Sequence, residues 1–286
     1  MISGQTRVAG VVGWPVRHSL SPMIHNHWLQ ASGTDGVYVA FSPPQDRFFE
    51  FAGGMRGGAI RGLNVTLPFK EQALSLARGP GDQISDIARL SGAANLVLFD
   101  EDGTVRVDNT DGEGLLYAFA RQAPSLKLTT TPVVILGAGG AARGAAAALI
   151  LAGVPRVHMV NRTLDRALSI ASALGPKVQA FDPAQAQAAF EGAGAIINAT
   201  SLGLGGGEGP SVPWQSVSES AVFMDMVYKP LETEFLAQAR SRGHQTVDGL
   251  DMLIGQARPS FEAFYGAPPP LSVDVRALAL AQLNAA

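Results

Sequence analysis

Val133-Val134-Ile135-Leu136 runs directly into Gly137-Ala138-Gly139-Gly140-Ala141-Ala142. This is G-x-G-x-x-A between a β-branched run and an Ala-rich stretch, and the chemistry it suits is phosphate binding. Gly137 permits a tight turn, Gly139 presents bare backbone, and the small Ala142 lets helix meet strand. A helix N-terminus there offers free N–H donors and the positive end of its dipole to a pyrophosphate. Taken alone, the motif also fits a glycine turn that binds nothing. Strand before and helix after supply the context that a dinucleotide site requires. Arg162 follows Gly139 by 23 positions, the region where an acidic residue about 20 residues on would select NAD. Asn161-Arg162-Thr163 and Arg166 stand there instead. A guanidinium favours the 2′-phosphate of NADP through charge-assisted bonds, with Asn161 and Thr163 as neutral donors. The competing reading of Arg162 and Arg166 is a solvated helix face.

Three segments of the N-terminal half carry polar residues that a plain scaffold would not need. Ser19 and Ser21 lie between a strand and a helix. Two hydroxyls at a helix entrance make a neutral cradle for a carboxylate; alternatively one is the N-cap, with Pro22 at N1. Thr66 and Lys70 bracket a strand end stopped by Pro68, where a lone lysine is more often a surface charge than a catalyst. Asp108-Asn109-Thr110-Asp111 crowds another helix entrance, and capping accounts for only one of those groups. Met226 and Tyr228 also fit the ends of a buried strand, and Gln256 a surface helix residue. The five histidines, His25 and His27 among them, show no metal-ligand spacing.

The elements that must position these residues alternate along the chain. β-Branched runs predict strands at Arg7–Gly13, Val37–Ser42, Leu63–Leu67, Val133–Leu136, Val157–Val160, Val178–Phe181, Ala195–Asn198 and Val222–Val227, with helical stretches between most of them. Asn95–Phe99 and Thr104–Val107 flank Asp100-Glu101-Asp102-Gly103, a hairpin turn. Helices are predicted over Gly112–Gln122, Leu250–Phe264 and Asp274–Leu283, the last two separated by Pro268-Pro269-Pro270. The alternation indicates α/β architecture built from βαβ units around parallel sheets.

At 286 residues, a prior of roughly 100–200 residues per domain suggests two domains. Apolar residues at 47% and charged residues at 16% provide a core and no disorder signature. Gly 33 and Pro 18, without a periodic repeat, fit many tight turns. A net charge of −3 gives no general attraction to nucleic acid or an anionic membrane. The absence of cysteine removes disulfides, thiolate zinc sites and cysteine nucleophiles, and fits a reducing compartment. The apolar stretch before Gly13 and Pro15 is too short for a signal sequence. The most apolar window, Val133–Val154, carries Arg143 and is built on Gly and Ala. The expectation is a cytoplasmic protein.

The combination resembles the shikimate dehydrogenase family, and the resemblance covers almost the whole chain. It is carried by Gly13–Asn26, Asn64–Lys70, Gly92–Asn95, Asp108–Gly112, Gly137–Ala142, Asn161–Thr163, Asn198–Gly203, Asp225–Tyr228 and Asp248–Gln256, in the family's order. The resemblance implies reversible NADP-linked oxidation of shikimate to 3-dehydroshikimate, in aromatic amino-acid (chorismate) biosynthesis. It implies that Ser19 and Ser21 hold the substrate carboxylate and that Thr66, Asn95, Tyr228 and Gln256 contact ring substituents. Lys70 and Asp111 would flank the reacting hydroxyl. Gly137, Ala138, Gly139, Gly140 and Ala141 would hold the pyrophosphate, and Asn161, Arg162, Thr163 and Arg166 the 2′-phosphate. Met226 and Gly249 would border the nicotinamide, and Asp86 stands at a position with a weaker link to the cofactor.

The expected architecture is a substrate-binding domain of residues 1–111 plus 248–286 and a Rossmann-like NADP domain of residues 112–247, with a cleft between. No metal, nucleic-acid or membrane partner is expected, and the working state is a monomer or homodimer. Hydride loss from a secondary alcohol requires a base and a positive partner at its oxygen, which a Lys–Asp pair supplies. Two positions depart from the family pattern: Leu96 follows Asn95 where Thr is common, and Asp251 replaces a frequent Gly, adding a carboxylate near the nicotinamide end. Two rival readings stay open, a quinate/shikimate dehydrogenase of broader specificity and a non-catalytic dehydrogenase-like ligand sensor.

Overall fold

The β-branched runs of the sequence form strands because extended backbone suits their branched side chains, and the computed structural model describes residues 2–58 and 60–285. The chain divides into two compact units, Met1–Thr110 with Leu253–Ala286, and Asp111–Met252.

In the first unit the strands are β1 (Arg7–Val12), β2 (Gly36–Phe41), β3 (Gly62–Val65), β4 (Gln83–Ile84), β5 (Leu96–Phe99) and β6 (Val105–Asp108). The helices between them are α1 (Ser21–Ser32), α2 (Phe48–Gly53), α3 (Lys70–Leu74) and α4 (Asp86–Ser91). The sheet order is β2-β1-β3-β5-β6-β4. Strand β5 runs antiparallel to both β3 and β6, and the other pairings are parallel. The hairpin is closed by Gly103 N–H donating to the Asp100 carbonyl at 3.0 Å. One sheet face packs Leu63, Val97 and Val107 with the stacked pair Phe48–Phe69, whose centroids are 4.7 Å apart.

Beneath the hairpin, the Asp82 carboxylate is 2% exposed and accepts from Arg56 Nη2 at 2.8 Å, Gly79 N–H at 2.7 Å and Val105 N–H at 2.8 Å. The Arg56 guanidinium, first among these, holds the Asp82 carboxyl down at about 2. The folded state therefore releases this proton more readily than the unfolded chain, so the stabilisation is complete above the ordinary carboxylate pKa of about 4 and is lost as pH falls toward 2. Arg56 is itself 36% exposed, and screening trims the effect to about 1–2 kcal/mol. Asp82→Asn should cost that much in urea unfolding at neutral pH, and its difference from wild type should shrink on acidification. A difference independent of pH would contradict this assignment.

The second unit opens with α5 (Asp111–Gln122). It continues as β7 (Val133–Leu136), α6 (Gly140–Leu151), β8 (Val157–Val160), α7 (Leu164–Leu174), β9 (Val178–Phe181), α8 (Ala186–Phe190), β10 (Ala195–Asn198), β11 (Val222–Asp225), α9 (Glu234–Ser241) and β12 (Thr246–Val247). Helix α10 (Gly249–Tyr265) starts in this unit; from Leu253 onward it belongs to the first unit, as does α11 (Val275–Ala285). The sheet order β12-β11-β10-β7-β8-β9 is parallel throughout. Every residue of β7, β8, β10 and β11 is buried, as expected of parallel strands covered on both faces. Val133 and Ile135 join the core with α5 and α6, while Val134 and Leu136 join the core with α8 and α9.

Several strands end earlier than the sequence predicts. The strand predicted to reach Val227 stops at Asp225, because the Asp225 carboxylate accepts Val227 N–H at 2.9 Å and turns the chain. The strand predicted to reach Leu67 stops at Val65, ahead of the turn in which Phe69 N–H donates to the Thr66 carbonyl. Strands β4 and β12 have two residues each, too few for a period-2 pattern to register.

Candidate active site

In the first unit the candidate residues Ser19, Ser21, Thr66 and Lys70 follow the ends of β1 and β3. Thr66 N–H donates to the Val12 carbonyl at 2.9 Å, and Trp14 N–H to the Leu67 carbonyl at 3.0 Å. The segment after β1 is thereby tied to the one carrying Thr66. Neither serine is the N-cap of α1: Leu20 holds that position without a side-chain cap, and Pro22 is the second helical residue. Capping of α1 therefore accounts for neither hydroxyl. Ser19 Oγ accepts Ser21 N–H at 3.2 Å; Ser19 precedes the helix, Ser21 is its first residue, and both are half-buried.

Lys70 opens α3 and is half-buried. Its carbonyl accepts Ala94 N–H at 2.9 Å, which sets the residue before Asn95 against the start of that helix. Asn95 is 1% exposed. Its Nδ2 donates to Gln256 Oε1 at 2.8 Å and to Thr110 Oγ1 at 3.1 Å, and its Oδ1 accepts Thr110 N–H at 2.8 Å. The amide therefore locks Gln256 in the orientation that leaves its own Nε2 as donor. Asn64 completes the arrangement. It accepts from Tyr38 Oη at 2.8 Å and donates to Ser260 Oγ at 2.7 Å and to the Asn95 carbonyl at 3.2 Å.

The acidic helix entrance resolves into separate duties. Asp108 Oδ1 accepts from the Ser85 hydroxyl and from Asn109 N–H, and Asn109 Nδ2 donates to the Ala93 carbonyl at 3.0 Å. Asp111 is the first residue of α5 and 6% exposed. Asp86 is an exposed first-turn residue of α4, whose N-cap Ser85 accepts Ala88 N–H; a carboxylate there suits the helix dipole.

In the second unit the strand order reverses between β7 and β10, the switch point outside whose carboxyl ends open α/β sheets bind ligands. A cavity of about 770 Å3 lies there, lined by Gly137, Asn161, Arg162, Gln187, Thr200 and Leu202 among others. Gly137 has φ of +112°, and a Cβ would sit 3.0 Å from Thr200 Cγ2 and 3.2 Å from the Ala199 carbonyl, so only glycine makes this turn. A Cβ on Gly139 or Gly140 would meet no atom within 4 Å. Gly139 caps α6 without a side chain, and the first turn holds no acidic residue. Ala138 is half-buried and Ala141 exposed. The space over these two glycines at the start of α6 is thus open, as an anion at a helix N-terminus requires.

Asn161 Nδ2 donates to the Thr163 carbonyl at 2.8 Å, so its amide shapes the turn rather than reaching outward. Arg162, Thr163 and Arg166 are exposed at the start of α7. On the other side of the switch point, Asn198 Nδ2 donates to the buried Asp225 carboxylate at 3.0 Å, and Thr233 Oγ1 donates to it at 2.7 Å. Burial raises the Asp225 carboxyl pKa, opposed by the bonds from Thr233, Val227 and Asn198. Asp225 fixes the exit of β11, after which Met226 N–H donates to the Asn198 carbonyl at 3.1 Å. Burial also raises the Tyr228 phenol pKa, keeping it a donor. Gly249 sits against the Met226 carbonyl, where a Cβ would lie 2.6 Å away.

Sequence reading missed Asn64, Thr110 and Gln122 as organising residues. Asn64 carried a signal, since a polar amide inside the apolar strand Gly62–Val65 must find partners when buried. Among the described residues, no group of three or more His, Asp or Glu could hold a metal ion, and no helix is long and apolar enough to cross a membrane.

Comparison with known proteins points to one family. The family model described as the shikimate dehydrogenase substrate binding domain matches residues 11–97, and that of shikimate / quinate 5-dehydrogenase matches residues 119–203. A shikimate dehydrogenase (NADP(+)) of Caulobacter vibrioides is 57% identical, covering 99% of this chain and 98% of its own. The crystal structure of shikimate 5-dehydrogenase from Thermus thermophilus, in complex with NADP(H) and shikimate, is 35% identical with a TM-score of 0.81, covering 93% of this chain and 95% of that one. Quinate dehydrogenase from Corynebacterium glutamicum, in complex with NAD, is 28% identical with a TM-score of 0.86, covering 96% and 99%. With a switch-point cavity, an open glycine turn and near-complete coverage by such relatives, the chain belongs to the shikimate dehydrogenase family.

Proposed function

We propose that the chain catalyses the reversible NADP-linked interconversion of shikimate and 3-dehydroshikimate. The observation that carries this reading is the cavity at the switch point, which has the Gly137 turn at one side and Arg162 at another. The residues fit NADP: open space over Gly139 and Gly140 admits a pyrophosphate, and the exposed Arg162, Thr163 and Arg166 admit the 2′-phosphate. Met226 and Gly249 would border the nicotinamide, which when bound exchanges a hydride with the substrate carbon.

The chain's own residues hold the substrate and manage one proton. Ser19 and Ser21 hold the carboxylate through neutral donors. Asn95 and Gln256 act as one unit, since each fixes the other, and Gln256 Nε2 donates to a ring hydroxyl together with Thr66 and Tyr228. Lys70 and Asp111 hold and move the proton at the reacting oxygen, which develops negative charge in the transition state. Which of them carries it is a property of the pair. The same reading places the enzyme in the cytoplasm as a monomer or homodimer, checked by fractionation and sedimentation.

The similar fold of a quinate dehydrogenase with NAD makes the side chains the source of selectivity. The test is an assay of shikimate and quinate with NADP and NAD. Turnover fastest with shikimate and NADP is the expected result, and quinate with NAD matching it would favour the broader enzyme. NADPH binding without consumption when 3-dehydroshikimate is added would favour a ligand sensor, for which Lys70 and Asp111 have no use.

A further inference from the structure

Gln122, the last residue of α5, contacts the chain on both sides of β12. Its main-chain carbonyl accepts Gln245 Nε2 at 2.6 Å, before the strand. After the strand, its side-chain amide pairs with the main chain of Asp248, accepting Asp248 N–H at 3.1 Å and lying 3.4 Å from the Asp248 carbonyl. The same Nε2 donates to Asp251 Oδ2 at 2.8 Å, and Asp251 is 3% exposed. The Asp251 carboxylate, expected near the nicotinamide end, is buried against Gln122 in the first turn of α10.

Within this turn lies Gly249, whose backbone packs on the Met226 carbonyl so closely that no side chain fits between them. Within the turn, Leu250 N–H also donates to Asp248 Oδ1 at 3.0 Å. The position of Gly249 against Met226 is therefore set from the flanks, at Asp248 and Asp251, and Gln122 holds both.

We propose that Gln122 and Asp251 form a clasp that positions the Met226–Gly249 contact as the seat of the nicotinamide ring, a role resting on the NADP reading above. These are positioning residues. The clasp fixes the nicotinamide end of the cofactor and leaves the adenosine end, at Gly137 and Arg162, untouched. The Asp251 carboxylate supplies the acceptor that orients the Gln122 amide.

Direct titration with two ligands tests this: NADPH, and adenosine 2′,5′-bisphosphate, which lacks the nicotinamide. Gln122→Leu and Asp251→Ala should each weaken NADPH about tenfold, the loss expected on removing a buried hydrogen-bond partner, and leave the bisphosphate within about twofold. The intact bisphosphate site also reports that the unit is folded. Asp251→Asn retains an acceptor oxygen for Gln122 Nε2 and should restore NADPH binding to within about threefold. The double variant should be no weaker than Gln122→Leu alone, because that substitution already removes the bond to Asp251. Unchanged NADPH affinity in both variants, or parallel loss of the bisphosphate, would overturn the clasp alone. A wild-type chain that binds neither compound would overturn the NADP reading, and the clasp with it.

Discussion

Lys70→Ala should lower kcat by about a thousandfold while moving the KM for shikimate by less than about threefold, as removal of a positioned acid–base group does. The reason is differential binding. The substrate hydroxyl asks little of an ammonium in the ground state, but the oxygen gains charge as the hydride leaves, so the interaction strengthens in the transition state. The variant should fold, because Lys70 opens a helix and alanine is the best helix former there. The segment is anchored by its backbone instead: Phe69 is fully buried on Phe48, and the Lys70 carbonyl holds Ala94 N–H. Asp111→Asn should produce a similar fall, and the double variant should be far less severe than the product of the two, since residues that share one proton act as a unit. Thermal denaturation and steady-state kinetics on shikimate provide the check. A large rise in KM with kcat preserved would reassign Lys70 to substrate binding.

Period-based reading recovered the α/β architecture because its strongest signals are local. Val133–Leu136 is four consecutive apolar residues followed by glycines, and both facts survive into a buried parallel strand and an open turn. The Arg162 argument also needed only spacing, and the structure puts Arg162 on the same cavity as Gly137. What could not be read was who bonds to whom across large separations. Nothing near Asn95 announces that its amide meets Thr110 and Gln256, the latter 161 positions away. Likewise, Gln122 reads as an unremarkable helix end until the chain brings Asp248 and Asp251 to it. Asp251 shows the same gap from the other side. Residue type says a carboxylate is added, and only the fold says that it meets the Gln122 amide. Strand ends failed for a related reason, since Asp225 stops β11 by a side-chain bond that a hydropathy pattern does not contain.

Removing both guanidiniums, Arg162→Ala with Arg166→Ala, should weaken NADP by about a hundredfold and NAD by less than about threefold, since charge-assisted bonds to a phosphate are each worth roughly 1.5–3 kcal/mol before solvent screening. Three observations support so large a difference between cofactors that differ by one phosphate. Among the described residues neither guanidinium takes part in an ion pair, so both charges are available to a ligand. Thr163 caps α7 without a side-chain bond, which leaves the positive end of that helix beside them. No acidic residue stands between Val160 and Arg162 to accept a ribose hydroxyl, so NAD gains little from this end even in the wild type. Arg162, which lines the cavity, should carry the larger share. Because the site is exposed, wild-type NADP affinity should fall with added salt, and the double variant should lose most of that dependence. Kinetics with each cofactor at two ionic strengths measure both effects. Equal losses for NADP and NAD would mean that the arginines hold the pyrophosphate or the turn itself, and the 2′-phosphate would then have to be recognised by other donors of the cavity lining, such as Gln187 and Ser211.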